Sequence, residues 1–251
     1  MPAAASDPPL DQAAVLTALR ARVARLEGGS QSRQTSDAIP VCDRLPLPGG
    51  GLARAAVHEV LAAAPGCGAA FCALLLARTG GTVLWIAAER DGLLAWPPGL
   101  ARFGLSPAQL VLVRARRWPD ALWAMAEALR CPAVTGAVLA LPPGQAAGDD
   151  LLDLTATRRL QLAAEAGGAL GLLLRPDTAS IAPSASTTRW RIGPHPAAPG
   201  AGLDQPCWRL ELLRAKGGRP GGPWTVAWRA ATGRLELAEA ATASPARHAA
   251  R

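Results

Sequence analysis

The stretch AAPGCGAAF, residues 63–71, has the spacing of half a phosphate-binding loop (P-loop). A P-loop reads G-x-x-x-x-G-K-[ST]; its backbone amides surround the phosphates, its lysine reaches the terminal phosphates and its hydroxyl ligates Mg²⁺. On this template Gly68 stands at the second glycine, whereas Ala69 replaces the lysine and Ala70 the hydroxyl residue. Two interpretations are open at this point: a nucleotide site that has lost its chemistry, or a glycine turn that never had any.

The elements that would position this turn alternate between apolar strands and helices. Strands are predicted around 56–61 and at 81–89, 110–115, 133–141 and 169–175, with helices at 69–78, 118–130 and 151–167. Apolar strands without polar alternation, separated by helices, are typical of a parallel sheet that is covered on both faces. The fold class is therefore predicted to be α/β, with a mainly parallel central sheet flanked by helices.

The two ends of the chain follow other patterns. Residues 11–27 place apolar residues on one helical face, before a Gly/Ser-rich stretch, and predict an amphipathic helix on a flexible linker. From 187 onward, short strands without intervening helices predict an antiparallel extension of the same sheet. The predicted division is a helix and linker over 1–40, one domain over 41–238 and a disordered tail over 239–251.

The charge of the chain favours an acidic or polyanionic partner. Its net charge is +7, and Lys216 is the one lysine among 26 basic residues. Arginine binds carboxylates and phosphates well, although GC-rich codons would explain the same excess. The five cysteines form no metal-ligand pattern and are predicted to be reduced thiols. With neither a secretion signal nor a span of ~18 apolar residues, we expect a cytoplasmic protein that does not enter a membrane.

Three groups of basic residues are candidates for contact with a partner or with DNA. The first leaves a strand at the carboxyl edge of the sheet, the second alternates with Trp190 so that the arginines share one strand face, and the third begins a hairpin. The alternative is a solvated loop for the first group and a Gly-rich hairpin in solvent for the third, while the second leaves modest phosphate affinity open. The candidates are Arg114, Arg116 and Arg117 with Trp118, then Arg189 and Arg191, then Arg214, Lys216 and Arg219.

The tryptophans divide into predicted core residues and predicted interface anchors. Six lie at apolar strand or helix positions and are expected in the core: Trp85, Trp123, Trp190, Trp208, Trp224 and Trp228. Trp96 and Trp118 adjoin prolines in predicted loops, and these two are the better candidates for contact with a partner.

A strand, a glycine turn, a helix and a second strand that ends at Glu89 resemble the opening of the RecA-like core. More closely, the chain resembles the ImuA family of damage-inducible mutagenesis proteins, which are degenerate relatives of RecA. The segments that carry this resemblance, in their order, are 47–60, 83–91, 113–133, 152–168, 188–192 and 208–221. The resemblance implies an accessory factor of SOS-induced translesion synthesis that acts with an ImuB-type pseudo-polymerase, with a DnaE-type polymerase and RecA as further candidate partners.

The resemblance also allows the nucleotide chemistry to be checked by position. Leu141 stands where RecA proteins carry the Walker B aspartate, and Glu89 stands at the water-activating glutamate. Without the lysine and the metal ligand, Glu89 has no polarised phosphate to act on, so it is interpreted as vestigial. We therefore expect no catalysis and no ATP or other cofactor, from a degenerate P-loop whose residues are Ala63, Gly66, Gly68, Ala69 and Ala70.

Direct DNA binding is expected to be weak or indirect. The segment 175–186, which matches the second DNA-binding loop of RecA proteins in position, holds one charge of each sign and no aromatic residue. Single-strand binding usually combines a positive groove with stacking side chains. Two other functions remain open: a SulA-like cell-division inhibitor that binds FtsZ, and a divergent RecA relative that still binds ATP.

Overall fold

The computed structural model describes residues 38–42, 44–88, 95–141, 152–177, 183–197 and 205–238. The predictions for the helix at 11–27, its linker, the tail after 238 and Glu89 lie outside these ranges. The contacts along the chain place a boundary between Asp37 and Ala38. The part described below begins at that boundary.

Within the described ranges, nine strands form one sheet, and a separate antiparallel pair precedes it in the sequence. The pair consists of β1 (Ala38–Ile39) and β2 (Leu52–Ala53). The strands of the sheet are β3 (Ala56–Ala62), β4 (Thr82–Ala88), β5 (Leu110–Ala115), β6 (Val134–Ala140), β7 (Leu170–Pro176), β8 (Thr188–His195), β9 (Cys207–Ala215), β10 (Gly221–Arg229) and β11 (Arg234–Leu237). The described helices are α1 (Pro65–Ala77), α2 (Pro97–Ala101), α3 (Trp118–Arg130) and α4 (Leu154–Gly167).

The strands lie in the order β11-β10-β9-β8-β3-β7-β6-β4-β5. The six strands from β8 to β5 in this order pair in parallel, and β8, β9, β10 and β11 pair antiparallel. β3 is central to the arrangement because it lies between β7 and β8. The predicted α/β class, with a mainly parallel sheet and an antiparallel extension, is confirmed.

Apolar cores lie on both faces of the sheet. On one face, residues of α1 such as Phe71 pack against Val60, Leu172 and Trp190. On the other face, residues of α3 and α4 pack against the strands, as Met125 of α3 does within a cluster that includes Val57 and Leu173. Parallel strands that are buried on both faces need no polar alternation, which explains the apolar runs in the sequence.

Helix α1 begins four residues earlier than the sequence predicted. It starts at Pro65, and only Ala63 and Ala64 separate it from β3. Proline is favoured at the first helical position because its fixed φ suits the helix and its missing N–H would be unpaired there anyway. The glycines that were predicted to form a turn, Gly66 and Gly68, therefore lie in the first turn of the helix.

The prediction that Trp123 lies in the core is wrong. Its side chain is 67% exposed, although α3 has the predicted bounds. The buried face of α3 carries Ala121, Met125, Ala128 and Leu129. With 3.6 residues per turn, position 123 lies on the opposite side of the helix, so an apolar residue type alone misled the assignment.

Candidate functional site

The connection between β3 and α1 is tightly packed against the sheet. The Ala63 N–H donates to the carbonyl oxygen of Ile192 on β8, at 2.9 Å. A Cβ added at Gly68 would lie 2.5 Å from the Cβ of Ala62 and 2.6 Å from a methyl carbon of Leu174. Carbon atoms do not approach so closely, so Gly68 is needed here for helix–sheet packing.

The positions of the P-loop lysine and hydroxyl residue face the interior. Ala69 and Ala70 are both buried in the core that α1 forms with the sheet. Leu141, at the expected place of the Walker B acid, is buried as well, and its N–H donates to Leu174 O at 2.9 Å. These residues supply no cation, hydroxyl or carboxylate, so they do not fit Mg²⁺-bound ATP.

A cavity of about 210 Å³ lies at the carboxyl ends of β3, β6 and β7. Its lining is mainly apolar and includes Pro65, Leu141 and Leu174, while Arg175 and Asp177 supply the charges. In α/β proteins the carboxyl ends of the strands are the usual position for a ligand. Here aliphatic and proline side chains occupy much of the space where phosphate-binding groups would be required.

A buried ion cluster lies beside this cavity. The Glu59 side chain on β3 is fully buried and contacts two arginines. One oxygen accepts a short hydrogen bond from Arg189 Nε on β8, and the other lies 3.6 Å from Arg175 Nη1. The structure thus places Arg189 in the interior, away from any partner or DNA. Glu59 within the apolar run AVHEVLA was a sequence signal for such a buried ion pair, because an isolated buried charge is costly.

Arg191 and Arg214 hold parts of the chain in place. As predicted from the alternation, Trp190 points into the core and Arg191 to the other face of β8. Arg191 pairs with Asp177 at 3.0 Å and with Glu211 at 3.3 Å. Arg214 donates to the carbonyl oxygens of Ser184, at 2.8 Å, and Ser186. These two side chains fix the segments that precede and enter β8.

The remaining basic candidates are exposed. Arg114 and Arg116 point to solvent at the end of β5, and Arg117 next to them forms two hydrogen bonds with Asp120, of 2.9 and 3.0 Å. Lys216 and Arg219 are exposed in the connection between β9 and β10. Of the two predicted anchors, Trp96 is 69% exposed, whereas Trp118 is half-buried and packs against the core beneath α3.

A hydrogen-bond network around His58 was missed at the sequence level. His58 Nε2 lies 2.9 Å from Ala53 O, and Nδ1 lies 2.7 Å from the hydroxyl of Thr188. That hydroxyl also accepts a hydrogen bond from Trp190 Nε1 at 2.9 Å. Burial lowers the pKa of His58 to about 4, although its bond to Ala53 acts in the opposite direction. The ring is therefore neutral at pH 7, with Nε2 donating and Nδ1 accepting.

Metal and membrane sites are not seen in the part of the chain that the structure describes. Within it, no three His, Cys, Asp or Glu side chains are grouped so that they could hold a metal ion. None of the helices in these ranges is both long and apolar enough to cross a bilayer. The five cysteines are free thiols, as predicted.

The chain resembles a solved structure in its fold and curated proteins in its sequence. No protein-family model matches the chain. Among solved structures, the crystal structure of the RadB recombinase aligns with a TM-score of 0.56 at 14% identity, covering 76% of this chain and 94% of the RadB chain. The fold is thus that of the RecA-like recombinases.

The sequence relatives are more specific. "Protein ImuA" from two strains of Caulobacter vibrioides is 40% identical over 200 residues, which cover 70% of this chain and 76% of each relative. At this identity and coverage, the chain belongs to the ImuA family.

Proposed function

We propose that this chain is a non-catalytic, RecA-like accessory protein of error-prone translesion DNA synthesis, and that it acts by binding other proteins. The observation that carries the proposal is the replaced P-loop: helix α1 begins at Pro65, and the positions of the lysine and the hydroxyl residue are buried alanines. Membership of the ImuA family supports the assignment to damage-induced mutagenesis.

Electrostatics support the proposal that ATP is not used. A nucleoside triphosphate carries several negative charges, and a P-loop balances them with lysine and Mg²⁺. The amino end of α1 offers only its dipole, which contributes about 0.3 to 1 kcal/mol. Asp177 at the same cavity pairs with Arg191, and the guanidinium of Arg175 already faces Glu59, so neither arginine is available to a phosphate without losing a carboxylate partner. A triphosphate would therefore meet too little positive charge.

The exposed basic residues support binding to an acidic protein surface. Arg114 and Arg116 lie beside the half-buried Trp118, and Lys216 and Arg219 form a second basic surface. We propose an ImuB-type protein as the first partner, with RecA and a DnaE-type polymerase as further partners. Contact with DNA is proposed to be weak. Three of the basic candidates, Arg189, Arg191 and Arg214, already form contacts within the chain.

Binding to purified ImuB-type protein from the same bacterium tests the proposal. The charge reversal R114E/R116E is expected to weaken binding at least tenfold, measured by biolayer interferometry at constant ionic strength. The matched control is R158E/R159E, which reverses two exposed arginines of α4 and should have little effect. If the wild-type chain does not bind the ImuB-type protein, the proposed partner is wrong, and co-purification with FtsZ would favour a SulA-like function.

Calorimetry with MgATP tests the absence of nucleotide chemistry. We expect no heat of binding at millimolar nucleotide and no release of phosphate. Micromolar affinity would instead support a divergent ATP-binding relative of RecA.

A further inference from the structure

Strand β5 forms an open, partly apolar edge of the sheet. It pairs in parallel with β4 on one side, and no described strand pairs with its other side. Val111 is 46% exposed and Leu112 is 37% exposed. Because successive side chains of a strand point to opposite faces, an aliphatic residue is accessible above and below the free edge.

The other edge of the sheet is different. Strand β11 has only four residues, and its side chains include Arg234 and Glu236. Glu236 pairs with Arg229 on the neighbouring strand at 3.2 Å. Short length and charged side chains are the usual protection of a sheet edge against pairing. Of the two edges, β5 is thus the one suited to accept another strand.

The charges next to β5 indicate the kind of strand that would fit. Arg114 lies on the same face as Leu112, Arg116 follows directly after the strand, and both are exposed. No described carboxylate pairs with either of them. A second copy of β5 would bring more arginines and no acid to this edge. Charge complementarity therefore favours a different, acidic partner.

We propose that the free edge of β5 binds an extended segment of a partner protein as an additional strand. Aliphatic residues of the segment lie beside Val111 and Leu112, and its carboxylates lie beside Arg114 and Arg116. In this mode of recognition, main-chain hydrogen bonds supply affinity and the side chains supply specificity. The inference rests on the proposed protein-binding function and specifies how one partner segment is held.

A synthetic peptide tests the main-chain contacts on the unmodified full-length chain. The probe is a fluorescent decapeptide with central valines flanked on both sides by glutamates, and binding is measured by anisotropy. Two further peptides carry N-methyl groups on alternate residues, one at the odd-numbered positions and the other at the even-numbered positions. In an added strand only every second N–H faces the edge, so one methylated peptide should lose at least tenfold in affinity and the other should bind nearly as before. Equal effects of the two sets would overturn strand addition.

Variants of the chain test the side-chain contacts with the same peptide. L112S and R114Q/R116Q should each weaken binding at least fivefold, and the effect of R114Q/R116Q should shrink at high salt. The matched controls are L162S, an exposed leucine of α4 (49% exposed), and R158Q/R159Q on the same helix. Equal effects of L112S and L162S would contradict the proposal.

The two proposals fail in distinguishable ways. If the ImuB-type protein binds the wild-type chain and L112S with equal affinity, the inference about β5 is overturned while the proposed function stands. If the peptide binds as expected but the ImuB-type protein does not bind the chain at all, the edge is an interaction site and the proposed partner is wrong.

Discussion

At the scale of single residues, the interior of the sheet contains more polar chemistry than the sequence suggested. His58 and Glu59 are consecutive on β3, point to opposite faces and are both fully buried. His58 is satisfied as a neutral ring by Ala53 and Thr188. One oxygen of Glu59 accepts a hydrogen bond from Arg189, and the other lies 3.6 Å from Arg175 without a hydrogen bond. Both side chains thus form a contact between β3 and β8.

The neutral state of His58 predicts a loss of stability in mild acid. Its pKa is lowered from 6.5 to about 4 in the folded chain, so the unfolded chain binds the proton more readily. The contribution of neutral His58 to the free energy of unfolding is fully present above pH 6.5 and is lost as the pH falls towards 4. It amounts to about 3 kcal/mol at most. Urea unfolding of wild type and H58Q between pH 7.5 and 4.5 should show a smaller pH dependence for H58Q.

The exposed His195 provides the control for this measurement. Its ring contacts only the neighbouring Pro196 carbonyl among the described hydrogen bonds. H195Q should therefore keep the pH dependence of the wild type. A pH dependence that is the same in H58Q and the wild type would show that His58 does not cause it.

Removal of Glu59 predicts a large loss of stability. E59A leaves two arginines near one another without their carboxylate, and breaking a buried ion pair in this way costs about 3 to 5 kcal/mol. The double variant E59L/R189M removes both charges of the short contact and should be less destabilised than E59A. Denaturant unfolding of the single variants E59L and R189M and of the double variant gives the coupling energy, and purely additive effects would contradict the ion pair.

At the scale of elements, α1 depends on a close approach to the sheet. G68A places a methyl group against Ala62 and Leu174 and is expected to destabilise the fold by about 1 to 3 kcal/mol. G66A is the matched control in the same helical turn, where an added Cβ meets nothing within 4 Å. Because alanine favours helix more than glycine does, G66A should be neutral or stabilising by up to about 1 kcal/mol. Thermal unfolding of both variants measures the difference.

The elements also show what the sequence could predict. The bounds of β5 and α3 agree with the structure, because turn residues and prolines mark their ends. The start of α1 was missed because Gly66 and Gly68 suggested a turn. Gly68 is instead required by close packing against Ala62 and against Leu174, which is distant in sequence. The burial of Arg189 depends on Glu59, which is 130 residues away along the chain. A local pattern can indicate a buried charge, as at Glu59, but it does not identify the distant residue that pairs with it.

At the scale of the whole molecule, the buried cysteines report on the integrity of the core that α1 forms with the sheet. Cys42, Cys67 and Cys72 are buried, and Cys131 is exposed at the end of α3. Burial raises the pKa of Cys67 and Cys72, so their reactive thiolate forms are suppressed. With DTNB, we expect rapid labelling of Cys131 and slow labelling of the three buried thiols, which becomes fast in denaturant. Cys207 is half-buried and should react at an intermediate rate, so C131S should remove only the fastest phase.

The unequal edges of the sheet bear on assembly. In the described part of the chain, one edge is a six-residue, partly apolar strand, whereas the other is a four-residue strand whose Glu236 pairs with Arg229. A row of molecules grows through its sheets only if each unit has both a donor edge and an acceptor edge. With the proposed pairing at β5, the described part of the chain has one usable edge, so we expect the molecule to end such a row and not to extend it.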